Sequence, residues 1–228
     1  MRFQHAQRRR ACVAERVRQQ LGAGVADGMP PEVAEERRAN EVMLLDAALE
    51  AFVEKGFHGT SMRDIARRAG TSVSHSYYYF PSKHHMLWLI VSRICQTLLD
   101  ELAAVEAAAG PAPEVRLAAL VRAHVRLHAR AQNESFVGNT ELRSLHPSDR
   151  PRVIEMRDRV ARYFRAAIED GLREGRFHST EPAAELTLAV VTMCTAVAGW
   201  YRPGGGTTPE DLADHYAEMV LRLVGNAA

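Results

Sequence analysis

From residue 56 to residue 83 the chain reads Gly56-Phe57-His58-Gly59-Thr60-Ser61-Met62-Arg63-Asp64-Ile65-Ala66-Arg67-Arg68-Ala69-Gly70-Thr71-Ser72-Val73-Ser74-His75-Ser76-Tyr77-Tyr78-Tyr79-Phe80-Pro81-Ser82-Lys83. Helix stops and helix caps alternate along it. Lys55 and Gly56 close a preceding helix: the cation suits its carbonyl end, and the glycine can take the left-handed cap. Ser61 with Asp64 three residues later reads as a capping box, with Asp in place of the usual Glu, so a second helix begins there. Ile65, Ala66 and Ala69 give that helix an inward face, and Gly70 stops it. Ser72 caps a third helix through about Tyr79, and Pro81-Ser82 breaks the chain again. Three short helices with Gly70 in the tight turn between the second and third make a helix-turn-helix pattern.

A recognition helix must be exposed on one side and seated by packing on the other. Val73, Ser74, His75, Tyr77 and Tyr78 can face outward, while Ser76, Tyr79 and Phe80 can seat the helix. The small Ser74 allows close approach to a groove, and the hydroxyls and His75 can bond base edges or phosphates. Arg63, near the start of the second helix, suits guanine or phosphate. Lys83, with the first N–H groups of the next helix, can reach phosphate. An aromatic run such as Tyr77–Phe80 equally suits a core.

Outward from this stretch, Val42, Leu45, Leu49 and Phe52 recur at helical spacing, an amphipathic face beginning near Arg38. Residues 1–36 differ from the rest of the chain. Six arginines stand against Glu15 in the first 20 residues, and Gly22-Ala23-Gly24 through Gly28-Met29-Pro30-Pro31 breaks regular structure. A mobile basic arm with a short helix at 8–21 is expected, either a solvated tail or a source of extra phosphate or minor-groove contacts. Met29 offers an alternative start.

The sequence Leu44-Leu45-Asp46-Ala47-Ala48-Leu49-Glu50-Ala51-Phe52, continued by Gly56 to Ala66, Ala69-Gly70-Thr71-Ser72, Tyr77 to Lys83 and Leu87, resembles the N-terminal domain of TetR-family transcriptional regulators. The resemblance covers about residues 38–90. It implies a homodimeric, all-α protein whose N-terminal domain binds double-stranded operator DNA and whose larger C-terminal domain holds a ligand pocket and the dimer surface. The positions matching the family's DNA contacts are Arg63, Val73, Ser74, His75, Tyr77, Tyr78 and Lys83, and Ser72 beside them joins the expected DNA-facing set. His75 stands where Thr or Ala is commoner, and Ser76 where Leu is commoner, so the operator bases do not follow from relatives. The expected organisation is an arm at 1–36, a DNA-binding domain at 37–84, and a ligand-binding and dimerisation domain at 85–228.

Composition sets the rest of the frame. The 228 residues carry 46% hydrophobic and 25% charged side chains and a formal net charge of +1, an ordinary globular balance without a global field for polyanions. Residues 37–85 hold seven Lys/Arg against five Asp/Glu. DNA affinity therefore leans on two half-sites bound by a dimer. Cys12, Cys95 and Cys194 are isolated, form no CxxC pair and fit a reducing, cytoplasmic setting. No signal-peptide pattern follows Arg8-Arg9-Arg10. The apolar run Leu186–Tyr201 falls short of a bilayer span, so no membrane association is expected.

Beyond a long helix at 83–108, further helices are expected at about 114–131, 135–145, 149–174, 181–201 and 209–224. The stretch Leu186 to Trp200 is apolar nearly all round, so burial on most sides, partly by a second subunit, is expected. Val190, Val191, Val197, Trp200, Tyr216 and Met219 are the interface candidates. His124 and His128 lie one turn apart on the same face as Leu117, Leu120 and Val121. That spacing can hold a metal, but no HExxH pattern accompanies it, so pocket or core histidines are the preferred reading and no metal or cofactor is expected. The expected effector-binding set is Val121, His124, His128, Phe136, Asn139, Arg143, Tyr163 and Cys194.

Glu141-Leu142-Arg143-Ser144-Leu145, the segment Arg157 to Phe177, and Trp200 to Tyr216 resemble a TetR subgroup. It includes actinobacterial regulators of fatty-acid, sterol and aromatic catabolism, several responding to acyl-CoA thioesters. That resemblance implies a repressor released by a small hydrophobic effector, an acyl-CoA thioester being the candidate, with Arg143, Arg157 or Arg165 available to coenzyme A phosphates. A drug-like or aromatic effector, or a ligand-independent DNA-binding protein, are the alternatives. Gly204-Gly205-Gly206 has no GKS or GKT continuation, Gly22-Ala23-Gly24 follows no strand, and no GxSxG elbow occurs, so enzyme motifs are absent.

Overall fold

The computed structural model describes residues 30–225, which contain helices and no strand. In chain order these are α1 (Pro31–Lys55), α2 (Met62–Arg68), α3 (Val73–Tyr79), α4 (Lys83–Ala108), α5 (Pro113–Arg130), α6 (Gln132–Thr140), a 3-10 turn (Leu142–Ser144), α7 (Arg150–Arg173), α8 (Ala183–Trp200) and α9 (Pro209–Leu223). The chain divides into two compact units between Met86 and Leu87, inside α4. The expected helix at 8–21 lies outside the described residues.

In the first unit α1 packs on α2 and α2 on α3. Leu44, Leu45, Ala48, Leu49 and Phe52 from α1 close over Ile65 and Ala66 of α2 and over Phe57 and Phe80 from the turns. Both expected caps form. Ser61 Oγ accepts from the Asp64 N–H at 3.1 Å while Asp64 Oδ2 accepts from the Ser61 N–H at 3.0 Å, and Ser72 Oγ accepts from the His75 N–H at 3.0 Å. The Ser61 hydroxyl and the Ser61 N–H both donate to Asp64 Oδ2 and hold the Asp64 carboxyl below its usual range. Gly70 sits at φ 68°, the left-handed region that a tight turn between two helices requires.

In the second unit α5 is central and packs on α7, α8 and α9, while α6 packs on α8. Leu117, Leu120, Val121, Phe164, Ile168, Val190 and Val220 are fully buried. Ion pairs tie the edges: Arg116 lies 2.9 Å from Glu106 and 2.8 Å from Asp170, Arg122 lies 2.6 Å from Asp214, and Arg130 pairs with Glu210.

Three expectations need correction. α1 begins at Pro31 rather than near Arg38, because proline is compatible with the first helical turn, where its missing N–H has no partner to lose. The expected helix at 135–145 is instead α6, ending at Thr140, followed by a separate 3-10 turn. α8 is long and apolar enough to cross a membrane by length and composition alone, contrary to the expectation. Leu186, Val190, Cys194 and Val197 nevertheless bury one of its faces in the helical core.

Candidate nucleic-acid interface and buried polar cluster

The α3 helix presents a polar, aromatic surface. Ser72 and Ser74 are exposed, Val73 and His75 half-buried, and Tyr77 and Tyr78 are 52% and 70% exposed. Ser76 is fully buried and its hydroxyl donates to the Ser72 carbonyl at 3.2 Å, so it seats the helix as its small size permits. Tyr79 is braced from α1: Asn40 Nδ2 donates to its hydroxyl at 3.1 Å, and the Arg37 guanidinium lies 6.0 Å from the ring centres of both Tyr78 and Tyr79. On α2, Arg67 pairs with Asp64, and Arg68 with Glu50 and Glu54. Arg63 is exposed and forms no ion pair among the described residues, so its charge is available to a polyanion.

Lys83 departs from expectation. Its Nζ donates to the carbonyls of Phe57 and Thr60, both at 2.8 Å, and stands 4.2 Å from the centre of the Phe57 ring. Those carbonyls belong to the turn leading into α2. Thr60 fastens the same turn by donating its hydroxyl toward the Ala51 and Gly56 carbonyls at 3.1 and 2.9 Å. The Lys83 ammonium thus has at least two of its three N–H donors engaged within the protein.

Inside the second unit a polar cluster interrupts the apolar core. The His124 and His128 rings lie 4.4 Å apart, and the Phe164 ring meets His124 edge-on at 5.6 Å. His128 Nδ1 lies 3.0 Å from the His124 carbonyl, and since a carbonyl only accepts, that nitrogen carries the proton. His124 Nε2 lies 3.2 Å from Thr195 Oγ1, while its Nδ1 is buried without a partner. Asn139 Nδ2 donates to the Thr195 carbonyl at 3.3 Å. Arg157 donates to the Gly138 carbonyl at 2.6 Å and lies beside the Cys95 thiol. Burial is the main cause holding both imidazoles neutral: it takes His128 down to about 4 and His124 well below the ordinary value, and each feels a neighbouring charge as well. Burial raises the Cys194 thiol to about 12, so it is an inert core group. Among the described residues no three His, Cys, Asp or Glu side chains gather to hold a metal.

Residues 44–87 match the bacterial regulatory proteins of the tetR family, and residues 110–224 match the tetracyclin repressor-like C-terminal domain. The chain belongs to the TetR family. It is 30% identical over 183 residues to the HTH-type transcriptional repressor KstR2 of Rhodococcus jostii (strain RHA1), covering 78% of this chain and 87% of that protein. A tetR-family regulatory protein from Rhodococcus RHA1 superimposes with a TM-score of 0.75 at 29% identity, over 83% of this chain and 98% of that one. The structure of AibR in complex with isovaleryl coenzyme A and operator DNA shares the fold, with a TM-score of 0.71 at 20% identity over 82% of this chain and all of that one. The relatives are DNA-binding transcriptional regulators rather than enzymes, and so is this TetR-family chain.

Of the expected effector set, His124, His128 and Asn139 are brought together, and Val121 and Cys194 are fully buried in the same core. Phe136 and Tyr163 are half-buried. Arg143 is exposed on the 3-10 turn and only its carbonyl is engaged, by Arg150. Arg165 pairs on the surface with Glu169. Thr195 and Cys95 were missed, because a lone Thr or Cys in an apolar helix gives no periodic signal. Of the interface candidates, Val190 and Val197 are fully buried within the protomer, Tyr216 is 8% exposed, and Val191 is half-buried against the core. Trp200 and Met219 do face outward, at 48% and 39%, with Leu188 at 69% and Leu223 at 46% beside them in the helical pattern.

Proposed function

We propose that this TetR-family regulator is a cytoplasmic, homodimeric repressor released from its operator by a small apolar effector, with an acyl-CoA thioester as the effector class. The observation that carries the effector reading is the polar cluster of His124, Thr195 and Arg157 in the helical core, in which His124 Nδ1 is buried with no partner among the described residues. A purely structural core would have no use for it. The resemblance in the second unit and the coenzyme A complex of a protein of the same fold favour the thioester. Arg63, Ser72, Val73, Ser74, His75, Tyr77 and Tyr78 form the DNA-reading surface, and the exposed apolar face of α8 and α9 forms the dimer contact. The effector releases DNA only through its differential affinity for the two states of the dimer, the released state spacing its recognition helices wrongly for successive major grooves.

Binding of the purified protein to DNA from its own upstream intergenic region tests this, with and without a panel of acyl-CoA thioesters. Sequence-specific binding abolished by one thioester is the expected result. Specific binding indifferent to every thioester overturns the effector class and leaves the regulator.

A further inference from the structure

The buried cluster also says which end of an effector it receives. Among the described residues the Thr195 hydroxyl has one partner, His124 Nε2 at 3.2 Å, and that contact can be arranged in two ways. If Nε2 carries the proton, the threonine hydrogen lacks an acceptor and Nδ1 is a bare lone pair. If Nδ1 carries it, Nε2 accepts from the threonine and a single group is left unmatched, an N–H donor pointing into the core. Burying an unmatched polar group costs about 1–3 kcal/mol, so the second arrangement is favoured. Arg157 adds further donors. It is half-buried, its partners are the Gly138 carbonyl at 2.6 Å and the Cys95 thiol, and it forms no ion pair with a carboxylate among the described residues. The contrast is Arg116, also largely buried, which lies between two carboxylates at 2.9 and 2.8 Å. Arg157 holds the Gly138 carbonyl, the adjacent Asn139 holds the Thr195 carbonyl, and Thr195 meets His124, so the donors belong to one cluster. Donors without acceptors, beside the Phe164 ring, call for an oxygen acceptor on an apolar body.

We infer that the cluster formed by Arg157, His128, His124 and Thr195 binds the oxygen-bearing end of an apolar effector, a carboxylate or a thioester carbonyl, at the buried His124 Nδ1, with Arg157 as a further donor of the same cluster. This rests on the proposed release by an effector and specifies its chemistry. A carboxylate and a thioester carbonyl share the acceptor oxygen, and the experiment separates them.

Calorimetric binding to the purified full chain is measured with octanoyl-CoA and octanoate, and with two counterparts lacking the acceptor oxygen at that end, S-octyl-CoA and octylamine. The expected result is that octanoyl-CoA or octanoate binds at least about tenfold more tightly than its counterpart, the worth of one good hydrogen bond. Whichever does so identifies the source of the oxygen. Arg157→Met and His124→Leu each weaken that binding by about tenfold or more. His124→Leu melts no lower than the natural protein, because it removes an unmatched atom. Equal binding of the counterparts, indifference to both substitutions, or no binding of any of the four probes overturns the inference. A His124→Leu midpoint well below the natural one does so too, since it shows Nδ1 already satisfied by water; Arg157→Met then still reports on binding. Operator release by a thioester that ignores both substitutions keeps the proposed function and rejects this inference. Oxygen-dependent binding without operator release does the reverse.

Discussion

A lysine ammonium that donates to two carbonyls of its own chain keeps at most one of its three N–H donors for a phosphate. Lys83 is therefore proposed to position the turn before α2, and the consequence is measurable. Lys83→Met should weaken operator binding by about tenfold through a loosened α2 approach turn, while leaving the slope of log affinity against log salt unchanged. Arg63→Ala should lower that slope by about one. Fluorescence anisotropy across a salt series checks both, and a shallower slope for Lys83→Met would return the residue to the phosphate. The caps at Ser61 and Ser72 were legible because donor and acceptor lie three residues apart. The Lys83 contacts were not, because the acceptors are backbone carbonyls 26 and 23 residues away, and a carbonyl has no letter in the sequence. His128 carries a second prediction at this scale. Burial depresses its folded pKa to about 4, against about 6.5 in the unfolded chain, so the unfolded state binds more protons between those values. Its contribution is fully present above pH 6.5 and is lost as pH falls toward 4, about 3 kcal/mol in all, with His124 acting in the same direction. Melting curves from pH 7 to 4.5 should show the midpoint falling, and His128→Leu should flatten the series. The depressed carboxylates Asp64, Asp170 and Glu114 act only at lower pH, below about 4.

Among the elements, the second unit was legible wherever punctuation was strong. Pro113, Pro151 and Pro209 each lie in the first turn of a helix, and the expected ends of α5, α7, α8 and α9 fall within two residues of those observed. The phase of α8 was not legible. A periodic pattern fixes a buried face only by contrast with polar positions, and Leu186 to Trp200 offers little contrast, so Val190 and Val197 could not be told from Leu188. A close approach at the end of α7 was likewise invisible. The Gly171 carbonyl accepts from the Arg176 and Phe177 amides at 2.8 and 3.0 Å, which folds Phe177 back over the helix. A Cβ at Gly171 would lie 2.1 Å from the Phe177 ring, which is 2% exposed. Gly171→Ala should therefore destabilise by about 1–3 kcal/mol, the usual cost of overpacking a filled core. Ala at Gly175, at φ 65° with open space around it, meets only backbone strain and should cost about 1 kcal/mol. Urea titration followed by far-UV circular dichroism ranks the two. An equal or smaller loss at Gly171 would mean that Phe177 can swing away.

For the whole molecule, charge and apolar surface make the same demand. Seven cations against five acids in residues 37–85, with Arg67, Arg68 and Arg37 occupied in ion pairs, give a single DNA-binding unit little electrostatic hold on a duplex. Two units held at a fixed spacing overcome this, because the second contact is made at the effective concentration set by the first. In the proposed dimer the outer face of α8 and α9 holds them. Leu188, Trp200, Met219 and Leu223 are exposed large apolar side chains, and Ala184, Ala189 and Ala196 between them let another helix approach closely. Large apolar side chains exposed together on two helices suit a contact surface. Leu188→Glu places an unpaired charge on that face and touches nothing in the core, since Leu188 is 69% exposed. The variant should keep its helicity and melting cooperativity, elute from light-scattering chromatography at half the mass of the natural protein, and lose at least about a hundredfold in affinity for a two-half-site operator. Its affinity for an isolated half-site should not change. A Leu188→Glu protein that remains dimeric would move the interface off α8 and α9. One that is monomeric yet binds the two-half-site operator undiminished would show that a single unit suffices, and that the weak charge of residues 37–85 is made up elsewhere in the chain.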